Sequence, residues 1–554
     1  MRLLFLSICA CLFAQFSVFS QDLESIGKQK PIKFGGGLSL FADAYSSHGI
    51  PPRSTPFNWR LTGSPTVTIY GISFPFYFNI GSQERSFTQP FNQYGVSPRY
   101  KWITAHLGWR NLSYSQYSLA GLSFYGAALE LNPGKFRFSA MYGRFNKAVR
   151  EDTTQQFIQA TPTYKRIGYS ARIGVGTPQN FFDLIYFKAQ DDSTSYKDHP
   201  QRLKPAENAV FGINSKFLLF KHVQLNLDAA ASAYTRNIQL DSISDPQFKK
   251  FASILNVNAS SQLLYAGNAS IGYVSKYINL KLQYKRVSQD YKSMGAYMYQ
   301  TDLESYTIEP SFNLFKNKVR INGSFGKQND NLSGKRLISN LRTIGSVGLS
   351  VNVSKTYSVD LQYGNYGIAQ RAGIIPINDT IRMAIANQNI NLMNRFTLMN
   401  KKRAMTVILL TTYQEMTNLN PLFPAFVESK VMLGNLNVNY LVIPTGINFS
   451  GGFNYTRSQF GAGTIVSVGP ILGVGKTLFK SRLNTSINTS LLSNKFDGKA
   501  NGTTITGGLN LTLRINKSQS LLGNIRFTSN SSNNPLSVPF TEVFFSAGYQ
   551  FNLH

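Results

Sequence analysis

Histidines, clustered acids and glycine-rich loops are the parts from which hydrolytic, metal or phosphate chemistry is built, and this chain offers few of them. Its five histidines, His48, His106, His199, His222 and His554, stand far apart in sequence. No His-Glu-x-x-His pattern and no Gly-x-Ser-x-Gly elbow occurs. His106 beside a serine on a sheet surface would make a base-activated nucleophile, but no local signature marks such a partner. The run Pro470-Ile471-Leu472-Gly473-Val474-Gly475-Lys476-Thr477 has the tail of a phosphate loop. Proline stands where the loop's first glycine belongs, and the run meets a hairpin rather than a helix, so its amides form no anion cradle. The sequence therefore points to no enzyme and no cofactor, and no metal ligand is assignable.

What must position the remaining polar residues is an exported sheet. Met1 and Arg2 lead into an apolar stretch over residues 3–13, and Val18-Phe19-Ser20 precedes Gln21. This is the layout of a secretory signal peptide over residues 1–20, with an apolar stretch too short to cross a bilayer as a helix. Both cysteines, Cys9 and Cys11, lie inside it. Cleavage after Ser20 leaves no thiol, which excludes disulfides, thiol catalysis and most structural zinc sites. Charged residues make up only 15% and aromatics 13% of the chain, against about 25% charged in ordinary soluble domains.

Alternation then identifies the strands. Ile278, Leu280, Leu282 and Tyr284 interleave with Asn279, Lys281, Gln283 and Lys285. Leu509, Leu511, Leu513 and Ile515 interleave with Asn510, Thr512, Arg514 and Asn516; Leu436, Val438, Tyr440 and Val442 interleave with Asn435, Asn437 and Asn439. Successive side chains of a strand point to opposite faces, so one face is apolar and the other polar, as lipid outside and water inside require. Short connections, such as Asn132-Pro133-Gly134-Lys135, Phe220-Lys221-His222, Lys316-Asn317-Lys318 and Gly475-Lys476-Thr477, alternate with longer ones around 148–164, 192–206, 239–260, 329–339, 368–386, 416–428, 491–501 and 531–539. Short turns on one side and long loops on the other describe a barrel in an outer membrane, with the periplasm on the short side.

The expected fold is all-β: a single large antiparallel transmembrane β-barrel of about 24–26 strands over residues 38–554, preceded by a short periplasmic segment, 21–37. That segment is too short for a globular plug domain of the kind found in energy-coupled receptors. The final strand carries Tyr549, Phe551 and Leu553 on one face. It resembles the C-terminal signal by which the barrel-assembly machinery recognises its clients, although the chain ends on His554 rather than on an aromatic residue.

Between residues 57 and 147 the alternation is interrupted by Pro65, Pro75 and Leu119-Ala120-Gly121, which marks bulged strands or segments turned into the lumen. Here Pro90-Phe91-Asn92-Gln93-Tyr94-Gly95-Val96 and Leu129-Glu130-Leu131-Asn132-Pro133-Gly134-Lys135 resemble a group of large outer-membrane proteins from Bacteroidetes. The likeness covers about a fifth of the chain and implies an outer-membrane barrel with no defined activity.

A barrel of this size cannot stand empty without breaching the membrane, since about 16–18 strands already leave an aqueous channel. Two loop runs are candidates to fill it or to receive a partner protein: Phe248, Phe251 and Leu255 at helical spacing, and Leu422, Phe423 and Phe426. The net charge of +30 fits a lumen carrying Lys281, Lys285, Arg320, Arg482 and Arg514, and also fits cations that neutralise lipopolysaccharide phosphates. The basic residues are scattered and no recognition module accompanies them, which excludes nucleic acid. The functional expectation is a gated or partner-occluded pore for transport or export. Its alternative is a structural component of a secretion or biogenesis complex, with a partner in the lumen.

Overall fold

The structure, a computed structural model, describes residues 31–82, 89–150, 162–196, 203–243, 254–297, 300–372, 382–420, 422, 428–461, 463–532 and 538–553. Antiparallel pairing runs from each strand to the next around the chain. It closes where Ile32–His48 pairs with Phe540–Leu553, from Gly36 against Leu553 to His48 against Thr541. The result is a single closed barrel of 26 strands. Closure leaves no free edge, which lets a sheet in hydrocarbon pair its ladder groups without help from water.

The wall begins at Ile32, earlier than Leu38. Two of its strands are interrupted. Phe57–Gly63 and Thr66–Ile69 are two pieces of one strand, split at Ser64-Pro65, and both pair with Ile32–His48. Proline has no N–H for the ladder, and the partner strand accommodates the break with Gly36 at φ +86°, where a Cβ would lie 2.1 Å from the Ser64 carbonyl oxygen. Gln93–Val96 and Arg99–Tyr100 likewise share one position in the wall.

The outer face is apolar. Leu280, Leu282, Leu436, Leu472, Ile487, Leu511, Val543 and Tyr549 all project outward as exposed side chains. In a closed antiparallel barrel, such a band is the surface that meets hydrocarbon.

Two expected turns shift. Strand Gly463–Leu478 runs straight through Gly475-Lys476-Thr477, and the chain turns at 479–482, where Phe479, Lys480 and Ser481 take positive φ. Around 491–501 there is no long loop: Leu483–Phe496 and Lys499–Arg514 are joined by Asp497-Gly498. Both residues have positive φ, as a two-residue hairpin turn requires. The alternation of Ser493 through Ala500 was masked by a register shift between Ser493 and Lys495.

Candidate functional site

The buried apolar side chains do not fill the barrel evenly. They gather against one side of the lumen, around Tyr117, Leu119, Phe124, Phe145, Phe187, Val210, Val287, Tyr291 and Met294. Two connections on the long-loop side create this core by folding inward: 112–122, between Ile103–Asn111 and Ser123–Leu131, and the described residues of 288–302, between Ile278–Val287 and Leu303–Leu314.

Each inward segment is tied to the wall by the polar residues of the lumenal face. The Tyr114 hydroxyl and Ser139 Oγ are 2.6 Å apart, and Asn214 Nδ2 donates to the Tyr114 carbonyl at 2.8 Å. Ser115 Oγ donates to the buried carboxylate of Asp228. Asn208 Oδ1 accepts from the Met294 amide at 2.9 Å, and Ser232 Oγ donates to the Lys292 carbonyl at 2.6 Å. Two of these anchors, Asn214 and Asp228, lie in one polar register row with Asp183, Asn268 and Lys285 across neighbouring strands.

The segments also hold each other. Leu119-Ala120 runs parallel to Gly295-Ala296, and Tyr291 donates its hydroxyl to the Tyr117 carbonyl at 2.6 Å. The two rings meet edge to face, 6.1 Å between centroids. Gly295 fits because it has no side chain: a Cβ would lie 2.6 Å from the Phe187 ring. Burial raises the Tyr291 hydroxyl well above the ordinary phenol range, with Asp228 and Tyr117 adding to the effect, so it stays a donor.

The irregular stretch 57–147, with its break at Leu119-Ala120-Gly121, contains the first inward segment, whereas the second was not expected from the sequence. The available signal was the loss of alternation after Val287, at Ser288-Gln289-Asp290, where Asp290 takes positive φ.

The expected lumenal cations are dispersed. Lys281 faces the lumen and pairs with Glu309 on the next strand at 3.2 Å. Lys285 stands in register with Asn268 and Ser305. Arg320 donates to Asn313 Oδ1 at 3.3 Å. Arg514 ends its strand, and Arg482 sits in the turn before Leu483. Other lumenal cations are compensated: Arg137 by Asp183, Arg166 by Asp191 and Arg172 by Glu130.

Of the expected plug residues, Phe248, Phe251, Phe423 and Phe426 lie outside the described residues, and Leu422 is exposed. Leu255 is buried, but not in the lumen. With Ile254 and Val257 it packs on Ala209, Ala233, Tyr186 and Leu263. Ala209 and Ala233 share the outward parity of Phe211, so this loop clasps the outside of the wall. Lys188 fastens it, bonding the Ile254 carbonyl at 2.6 Å and Glu207 at 2.9 Å. Tyr549, Phe551 and Leu553 lie on the outward face of the closing strand, opposite Leu40, Leu38 and Gly36.

His106 does meet a serine. Its Nδ1 is 2.8 Å from Ser97 Oγ and its Nε2 is 2.9 Å from Glu130 Oε1. Arg110 Nε also donates to Nδ1, at 3.2 Å, which makes that nitrogen an acceptor. The order is that of a hydrolase triad, but Ser97 is only 3% exposed and Arg110 competes for the base. The cluster ties the interrupted strand 93–100 to its neighbours.

The opposite wall carries a different surface. Ser467 Oγ donates to Asn494 Oδ1 at 2.7 Å, Asn494 Nδ2 to Thr504 Oγ1 at 2.9 Å, and Thr504 Oγ1 to Asn530 Oδ1 at 2.8 Å. Asn435, Asn437 and Asn454 make a second amide ladder. These half-exposed groups are a surface for water.

No protein-family model matches the chain, and no curated protein matches it. Several solved structures are similar in build. A point mutant of the ferric enterobactin receptor PfeA from Pseudomonas aeruginosa shares 10% identity at a TM-score of 0.40, over 94% of this chain and 80% of that one. The copper transporter OprC shares 8% identity at a TM-score of 0.40, over 95% and 81%. OccK10 (OpdN) from Pseudomonas aeruginosa shares 11% at a TM-score of 0.34, over 61% and 93%. These overlaps are loose, and the barrel stands on its own strand pairing.

Proposed function

We propose that this protein is a restricted pore for transport or export across an outer membrane. The observation that carries the reading is the pair of inward segments, 112–122 and 288–302, pinned to one side of the lumen while the facing wall keeps its polar, half-exposed ladders. A constriction held by hydrogen bonds and aromatic packing narrows a wide barrel without sealing it. The apolar belt and the asymmetry of turns and loops support an outer-membrane setting, which would bring lipopolysaccharide and the barrel-assembly machinery as partners. The likeness of residues 90–96 and 129–135 to large Bacteroidetes outer-membrane proteins agrees with it.

Purified protein in planar bilayers tests the reading. Discrete, ohmic single-channel steps are expected, and a membrane that stays silent at every voltage would overturn it.

The uncovered amide ladders favour a second reading, in which a partner protein occupies that half of the lumen. Gentle detergent extraction from native membranes followed by mass spectrometry separates the two: a stoichiometric co-eluting protein supports the partner, and a clean single species supports the self-restricted pore.

A further inference from the structure

Above the constriction, on its long-loop side, the described residues 290–297 and 301 and the wall enclose a cavity of about 560 Å³. Its size lies within the range of small-solute sites, about 300–1,000 Å³. The lining combines cations, hydroxyls, amides and aromatic rings, with Arg166, Arg236, Lys292, Tyr234, Tyr291 and Gln262 among them.

The charges divide into a fixed frame and a free pair. Arg166 is held by Asp191 through two hydrogen bonds, 2.8 and 3.2 Å, so it positions the wall and adds no net charge. Lys292 donates to the Tyr234 hydroxyl at 3.2 Å and stands 4.9 Å over the Tyr234 ring. Its ammonium is placed but not neutralised by a carboxylate of the described residues. Arg236 is exposed, and its guanidinium has no partner among the described residues. Asp290 is the one carboxylate among the described residues of the lining, which leaves the cavity with a net positive charge.

We propose that this cavity is a binding site for a small hydroxylated carboxylate, a sugar acid, on its way to the constriction. The proposal rests on the pore reading and names the solute class. Arg236 offers the planar fork that carboxylates take in bidentate fashion, and Lys292 supplies a second cation preset by Tyr234. Gln262, Asn146 and Thr301 line the same cavity and offer the donors and acceptors that ring hydroxyls need, whereas the hydroxyls of Tyr291 and Ser293 are spent on the carbonyls of Tyr117 and Ser118. A purely apolar anion would leave these amides and the hydroxyl unpaired, and an uncharged sugar would leave the excess positive charge unanswered.

The experiment is equilibrium dialysis of the full-length protein in detergent against radiolabelled D-glucuronate, glucose and glucosamine. Glucuronate is expected to bind at least tenfold more tightly than glucose, and glucosamine least. Arg236→Gln and Lys292→Gln should each weaken glucuronate at least fivefold while leaving heat-modifiability on gels unchanged. Equal binding of glucuronate and glucose, preference for glucosamine, or wild-type affinity in Arg236→Gln would overturn the site. Conductance measured on the same preparation separates this proposal from the pore itself. Channel activity without glucuronate binding removes the site alone, and binding without channel activity removes the pore alone.

Discussion

The hydroxyl of Tyr291 donates to the carbonyl of Tyr117 at 2.6 Å, joining two loops 174 residues apart in sequence at the centre of the lumenal core. Neither residue belongs to the wall, and the bond ties the two inward segments to each other. Replacing Tyr291 with Phe keeps the ring packing and removes the donor. A buried carbonyl left unpaired costs about 1–3 kcal/mol. The expected result is a lower unfolding temperature and larger or more frequent channel openings. Unchanged conductance would mean that the bond does not set the constriction.

Asp228 anchors the other end of the same core through Ser115. Asp228→Asn retains an acceptor and should retain most of the closure. Asp228→Leu leaves the Ser115 hydroxyl without its acceptor and should release segment 112–122. Hydrogen–deuterium exchange over 112–122 reads the difference: Leu fast, Asn close to wild type.

The facing of the wall predicts unequal responses to one charge. Leu472 is 59% exposed on the lipid face near the middle of its strand, whereas Thr506 faces the lumen and bonds Ser490 at 2.6 Å. Leu472→Arg should cost about 2–4 kcal/mol. Thr506→Arg should be close to neutral, because its guanidinium reaches water. Urea titrations of both variants refolded into vesicles make the comparison, and equal losses would reverse the facing.

Outside the wall, Lys188 is the only cation paired with Glu207 among the described residues, and that carboxylate is almost fully buried. Lys188→Ala strands it, a loss of up to about 3–5 kcal/mol for a buried pair broken from one side. The outer clasp of Ile254, Leu255 and Val257 should detach and become cleavable by added protease, while the core of the barrel stays resistant. Wild-type protease resistance would show that apolar packing alone holds the loop.

The barrel was legible because lipid and water impose opposite demands on alternate residues, as Leu280 and Lys281 illustrate, and because turn length differs between the two sides. The shifted turns were not legible where that rule lapses. Gly475-Lys476-Thr477 carries turn residues inside a strand, where lumenal glycines leave room for their neighbours: a Cβ at Gly473 would lie 2.4 Å from Ser450 Oγ. The constriction was half legible. Leu119-Ala120-Gly121 broke the pattern visibly, but Tyr291 and Met294 are apolar residues in a stretch that reads like more wall. Leu255 was apolar for a reason the sequence does not reveal, because packing on the outer wall and packing in the lumen ask for the same side chain. The partners of His106 were also hidden, since Ser97 and Glu130 reach it only across neighbouring strands.

The central claim is that segments 112–122 and 288–302 restrict an otherwise wide pore. It is tested most directly by single-channel conductance of the wild type beside a variant in which both segments are replaced by short Gly-Ser links. The account predicts that both conduct and that the trimmed barrel conducts several times more current per channel. Identical conductance in the two, or silence in both, would contradict it.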